Sequence, residues 1–319
     1  MGHSVTISTT IHIASDFANK YLIINEAGQG NCGKVLFCVS ASSASNEPKD
    51  SRQSTAVVAV KTAQIGSLGL GLAQEILALQ RIQSLLTGSQ VEQQLPALIN
   101  YNLSAAEPRS HWLAINAIQG FNLVQLIKAL ILSAPVCSPK NSLPHNTTST
   151  PTLPATLILH ITQQLVQTVA WLHTTANIAH GDIFSGNIML DIFRCSFSTN
   201  PVILPSLVLI DFDGATLAPN DILRAADRSS VYEFLFSLGE LMQVLIENRL
   251  DWGVRASTMG FKEFCAKFEG EMVRRVESGV DVDVEKAREL VERVVAMSEV
   301  EFPGEEVVKE VLERGRGLK

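Results

Sequence analysis

The chain has 319 residues, 46% hydrophobic and 18% charged, and a formal net charge of −7. That length supports a sizeable core in one large or two smaller domains, and the acidic balance argues against nucleic acid or an anionic membrane surface as the main partner. The five cysteines, Cys32, Cys38, Cys137, Cys195 and Cys265, are scattered and form no C-x-x-C pair, so the expectation is no zinc, no disulfide framework and a reducing, cytoplasmic setting.

Residues 1–20 read as an N-terminal extension. Met1-Gly2 followed by Thr6 matches the loose N-myristoylation pattern, which is short enough to arise by chance. Membrane contact is expected only if Gly2 carries that lipid. Neither a secretory leader nor a membrane-spanning run is expected. "YLIINEAGQGNCGKVLFCVS" (21–40) is an apolar run, a glycine-rich turn and a second apolar run, and it predicts a hairpin. A small, polar loop follows at 40–54. "TAVVAVKTA" (55–63) predicts a strand carrying Lys61. In "GLAQEILALQRIQSLL" (71–86), Leu72, Glu75, Ile76, Leu79 and Ile82 recur at helical spacing. "HWLAINAI" (111–118) predicts another strand. Residues 133–155, rich in Pro, Ser and Thr, and residues 192–206 read as surface insertions. "ATLILHITQQLVQTVAWLHTT" (155–175) predicts a long apolar helix. "SSVYEFLFSLGELMQVLIENRL" (229–250) predicts a second, with Ser229 as its N-cap. Residues 261–277, 284–298 and 303–315 predict amphipathic helices. A β-rich front followed by a helical back implies two lobes.

Four stretches carry chemistry. "GQGNCGKV" (28–35) holds glycines at G-x-G-x-x-G spacing, which alone is a weak signal. A dinucleotide site needs a helix next, whereas "KVLFCVS" is a strand. A glycine-rich hairpin whose backbone N–H groups close over phosphates fits better, beside the plainer reading of a tight turn. Lys61, one hairpin downstream, has the length to reach such phosphates, and Glu75 has the charge to hold its ammonium in place. Each is also common at a strand end or on a solvated helix face. In "HGDIFSGN" (180–187), Asp182 is suited to take a proton from an attacking hydroxyl and Asn187 to ligate a divalent cation. In "LVLIDFDGAT" (207–216), Asp211 follows a buried-looking strand and is suited to the same metal; it reads equally as a turn residue, as does Asp213.

Taken in order, these stretches resemble the signature set of the protein kinase-like superfamily from Tyr21 to about Leu250. "HWLAINAIQGFNL" is similar to the strand, gatekeeper (Ile115) and hinge (Asn116 to Ile118) of that family. The resemblance implies a bilobal α+β fold. Residues 21–118 would form a small antiparallel sheet with one helix, and 119–319 a mainly helical lobe. It implies that Gly28, Gly30 and Gly33 cover ATP phosphates and that Val35 and Ala59 pack on adenine. Lys61, paired with Glu75, would contact the α- and β-phosphates, and the backbone of Asn116 and Ile118 the adenine edge. Asp182 would be the catalytic base, and Asn187 and Asp211 the Mg²⁺ ligands.

The chain departs from the family's pattern at Gly181, where the family has Arg, and at Phe184, where it has Lys. The metal motif reads Asp-Phe-Asp-Gly, and no Ala-Pro-Glu follows. "HGD" with this spacing is also the pattern of aminoglycoside and choline kinases. The expected function is therefore ATP- and Mg-dependent phosphoryl transfer to a protein Ser/Thr hydroxyl. A small-molecule alcohol is the alternative acceptor, and a non-catalytic pseudokinase is the alternative class.

Overall fold

The two apolar runs at 21–40 form the expected antiparallel hairpin in a computed structural model of the chain, with Tyr21 opposite Ser40. The structure describes residues 15–29, 33–44, 56–63, 70–104, 110–132, 153–196, 202–241, 284–297 and 303–317. The expectations for Gly2, for Gly30 and for a helix at 261–277 lie outside the described residues, as does most of the 133–155 insertion. The strands are β1 (Tyr21–Gln29), β2 (Gly33–Ser40), β3 (Val58–Ala63), β4 (Leu98–Asn102), β5 (Trp112–Asn116), β6 (Gly120–Asn122), β7 (Ile178–Ala179), β8 (Ile188–Asp191), β9 (Ser206–Leu209) and β10 (Thr216–Leu217). The helices are α1 (Ser15–Lys20), α2 (Leu70–Leu86), α3 (Leu123–Leu132), α4 (Ala155–Trp171), α5 (Asp221–Leu241), α6 (Val284–Met297) and α7 (Glu305–Gly317). The fold is mixed α/β, and among the described residues no helix is long and apolar enough to cross a membrane. Two compact units divide the chain. One draws on residues up to Leu79, on Ala97–Ala117 and on residues from Val300; the other comprises Gln80–Pro96 and Ile118–Glu299.

The first unit is built on a five-stranded antiparallel sheet of order β1-β2-β3-β5-β4. Its register sends Leu36, Cys38, Val58, Val60, Trp112 and Ala114 to one face, where they pack with Phe17 and Tyr21. Trp112 meets those two rings edge-on, with centroids 6.1 and 5.6 Å away. Burial pushes the Cys38 thiol up to about 12, so it packs as a small apolar residue. The opposite face carries Val35, Ala59, Lys61 and Ile115. Further along that face Val39 packs with Val308 and Leu312 of α7, and Leu22, Ile24 and Val57 join them. On α2, Leu72, Ile76, Leu79 and Ile82 are buried, as their spacing predicts, and Glu75 is buried among them.

In the second unit α4 buries Leu157, Ile158, Ile161, Leu165 and Val169. After a π-turn at Leu172–Ala176 the chain leaves through Asn177 in the left-handed conformation, whose N–H returns to the Leu172 carbonyl. β6, β8 and β9 form a three-stranded sheet, and β7 pairs with β10. α3 opens on a reciprocal box: Asn122 Oδ1 accepts the Gln125 N–H at 3.0 Å, and Gln125 Oε1 accepts the Asn122 N–H at 2.8 Å. The helix expected from Ser229 begins at Asp221 instead. Asn220 Oδ1 caps it by accepting the Leu223 N–H at 3.0 Å, and "ILRAA" continues it because these residues favour helix.

Candidate functional site

In the first unit Val35 and Lys61 are direct cross-strand partners, with Gly28 the next partner of Val35 on β1. Ala59 lies two residues before Lys61 on the same face and is buried. Gly33 stands where a Cβ would sit 1.8 Å from the Thr62 carbonyl oxygen, so the close strand approach itself requires glycine. The Lys61 ammonium donates to Glu75 Oε2 at 2.7 Å, and both side chains are buried. Removing two charges from water costs as much as their attraction returns, so an apolar pair would stabilise the unit equally well. At the end of β5 the Asn116 N–H donates to the Ala97 carbonyl at 3.0 Å, and Asn116 Oδ1 accepts the Ala97 N–H at 2.6 Å. The Asn116 N–H is thus already taken within the first unit. Ile118 is buried and belongs to the second unit.

The second unit holds Asp182, Asn187 and Asp211 on the loops around β7, β8 and β9. Gly181 turns the chain with φ 80°, and the Gly214 carbonyl oxygen lies 2.3 Å from where its Cβ would be. No side chain fits there without displacing that carbonyl, a steric reason for glycine at 181. His180 is fully buried and its Nε2–H donates to the Ile210 carbonyl at 3.1 Å, while Nδ1 accepts the Asp182 N–H at 3.3 Å. Burial lowers its pKa, which keeps the ring neutral with one donating and one accepting nitrogen. The ring also packs on buried Phe212, with centroids 4.6 Å apart. Asp182 is exposed. Asn187 Nδ2 donates to Asp182 Oδ2 at 2.9 Å and to the Asp182 carbonyl at 3.0 Å, so the carboxamide turns its Nδ2 toward residue 182.

Asp211 adopts φ 66°, ψ 74°, a conformation that costs a non-glycine residue about 1 kcal/mol or more and clusters at functional sites. It is tied to Asn187 because the Ile210 N–H donates to the Asn187 carbonyl at 2.9 Å, continuing the β8–β9 ladder. One carboxylate and one carboxamide oxygen suit a hard cation that takes its other ligands from water and phosphate, as Mg²⁺ does. Among the described residues no group of three or more His, Cys, Asp or Glu side chains converges as a metal cage.

Two residues that sequence reasoning did not single out organise this loop. Asp227 of α5 is buried and accepts the backbone N–H of His180 at 2.7 Å and of Gly181 at 2.8 Å, and His173 Nε2 lies 2.9 Å from its carboxylate. Burial would raise the Asp227 pKa, but the hydrogen bonds from His173, Gly181 and His180 outweigh it and hold the carboxyl below the usual range. The only local signal was an acid in "RAADRSS", which reads as a solvated helix residue. No protein-family model matches the chain, and no curated protein matches it.

Proposed function

We propose that the chain is a phosphotransferase of the bilobal protein kinase-like fold, moving the γ-phosphoryl group of Mg-ATP to a hydroxyl. Lys61, held by Glu75, contacts the α- and β-phosphates, while Gly28, Gly30 and Gly33 cover them. Val35 and Ala59 pack on the adenine. Asp182 orients the acceptor hydroxyl and takes its proton. Asn187 and Asp211 hold Mg²⁺, which neutralises charge on the phosphates. The setting is intracellular, where ATP is available. The observation that carries this reading is the clamped loop. Asp227 and His180 fix the backbone before and at Asp182, and the β8–β9 ladder fixes Asn187 opposite Ile210, the residue before Asp211. Preorganisation of that kind is what in-line transfer needs.

The glycine hairpin and hinge favour a protein Ser/Thr hydroxyl as acceptor. One observation favours a small alcohol instead. α5 starts at Asp221, so only residues 215–220 follow Gly214, and Thr216 and Leu217 of these pair with β7. That leaves little chain on which to lay a peptide. A pseudokinase reading draws on Gly181 and Phe184, but Gly181 has a steric reason of its own.

Asp182→Asn tests the reading, because it keeps shape and removes the base. Turnover of wild type with Mg-ATP should fall by ~10²–10⁴-fold, with ATP affinity little changed. Lys61→Met should weaken phosphate binding and turnover together. A wild-type protein that neither binds Mg-ATP nor transfers phosphate to protein or small-molecule acceptors ends the enzyme reading.

A further inference from the structure

Asp182 and Phe184 are exposed while Ile183 between them is buried, the alternation expected where side chains two apart leave an extended stretch on one side. Phe184 keeps 47% of its surface exposed, although Ile183 and Asn187 in the same loop are buried. Its backbone is extended (φ −152°, ψ 170°), and its carbonyl accepts the Asn187 N–H at 2.9 Å. Its ring lies against Gly186, with a ring carbon 2.4 Å from where a Cβ of residue 186 would stand. The glycine therefore gives the ring a seat on bare backbone. A ring so held presents a flat apolar face and loses little freedom when a ligand covers it.

We propose, resting on the phosphotransferase reading, that Phe184 is the platform for the acceptor. The acceptor is an uncharged small alcohol carried on a six-membered ring. Its apolar C–H face lies on Phe184 while its hydroxyl reaches Asp182. Side chains two residues apart in extended chain stand about 6.5 Å apart. That span matches a six-membered ring with its hydroxyl at one end. The charge pattern agrees: a phenyl group brings no positive charge to an anionic acceptor, while its flat face suits the C–H face of an uncharged ring. The short run 215–220 agrees as well, because it offers little to a peptide. In the step itself the acceptor oxygen forms a bond to the γ-phosphorus, the bond from that phosphorus to the β–γ bridging oxygen breaks, the hydroxyl proton passes to Asp182, and ADP leaves.

The experiment uses the full chain with Mg-ATP, following ADP release and product mass. Methyl β-D-glucopyranoside and cyclohexanol serve as ring probes, separating a sugar ring from a plain carbocycle, and sorbitol and a neutral Ser peptide serve as ringless ones. The ring probes should be the better acceptors. Phe184→Ala should raise the ring acceptor's KM about tenfold with a smaller change in kcat, the mark of lost ground-state contact. Phe184→Trp should keep the low KM. Phe193→Ala, at a phenylalanine 72% exposed outside the loop, should behave as wild type. Preference for the peptide or sorbitol, or an unchanged ring KM in Phe184→Ala, overturns the proposal and leaves the phosphotransferase reading standing. So does a protein that binds Mg-ATP and transfers to neither ring probe. A protein that binds no Mg-ATP overturns both.

Discussion

Gly181 holds a left-handed backbone with the Gly214 carbonyl oxygen where a Cβ would stand. Gly181→Ala must strain a left-handed backbone and displace that oxygen. We expect a stability loss of ~1–3 kcal/mol in urea unfolding and a turnover at least tenfold lower. Gly181→Arg, which restores the residue usual in protein kinases, should be no better; recovered activity would show that the carbonyl contact is dispensable. Histidine burial gives a second prediction. The pKa values of His160 and His180 are both lowered by burial. The unfolded chain therefore takes up these protons first, and the stabilisation is full above about pH 6.5 and is lost as pH falls toward the folded values. Each histidine contributes a slope of at most ~1.4 kcal/mol per pH unit. The urea midpoint should fall between about pH 7 and pH 5, and His160→Gln should remove one share of the slope. Asp227, held low, loses its contribution only on more acidic exposure, below about pH 4.

At the scale of elements, β1, β2, β3 and β5 were legible as apolar runs, and α2 and α4 because helical spacing matched their buried faces. β4 was not. Its apolar Ile99 and Tyr101 point to solvent while Asn100 faces inward, so its alternation is inverted. α3 carried a readable signal, the Asn122–Gln125 box, in a stretch read only as hinge. Of the candidate residues, Lys61, Glu75, Asp182, Asn187 and Asp211 could be named because they follow one another at the spacing the resemblance sets out. The clamp could not, since Asp227 acts on backbone N–H groups far away in sequence. Nor does the pattern of α7 say which surface it covers. Val308 and Leu312 meet Val39 on the sheet, so Val308→Asp with Leu312→Asp should cost about 3 kcal/mol or more and lower the thermal midpoint by several degrees. A midpoint equal to wild type would mean that this packing is not formed in solution.

For the whole molecule, any ligand that binds only folded chain raises stability by RT ln(1 + [L]/Kd), about 2.7 kcal/mol at a hundredfold excess. Mg-ATP should therefore raise the thermal midpoint by about 2–4 °C, and Lys61→Met should abolish most of that rise. A shift of equal size in the variant would detach Lys61 from nucleotide binding. The first unit is assembled from three separated stretches of chain, the last of them supplying α7. Val39 and Val308 touch, yet Val39 leaves the ribosome roughly 270 residues earlier. At synthesis rates of about 5–20 residues per second, the nascent sheet waits roughly 15–50 s with its strip of Leu22, Ile24, Val39 and Val57 lacking its cover. During translation that strip stays open to solvent until α7 emerges, and a ribosome stalled late in the message would release a first unit whose seam stays open.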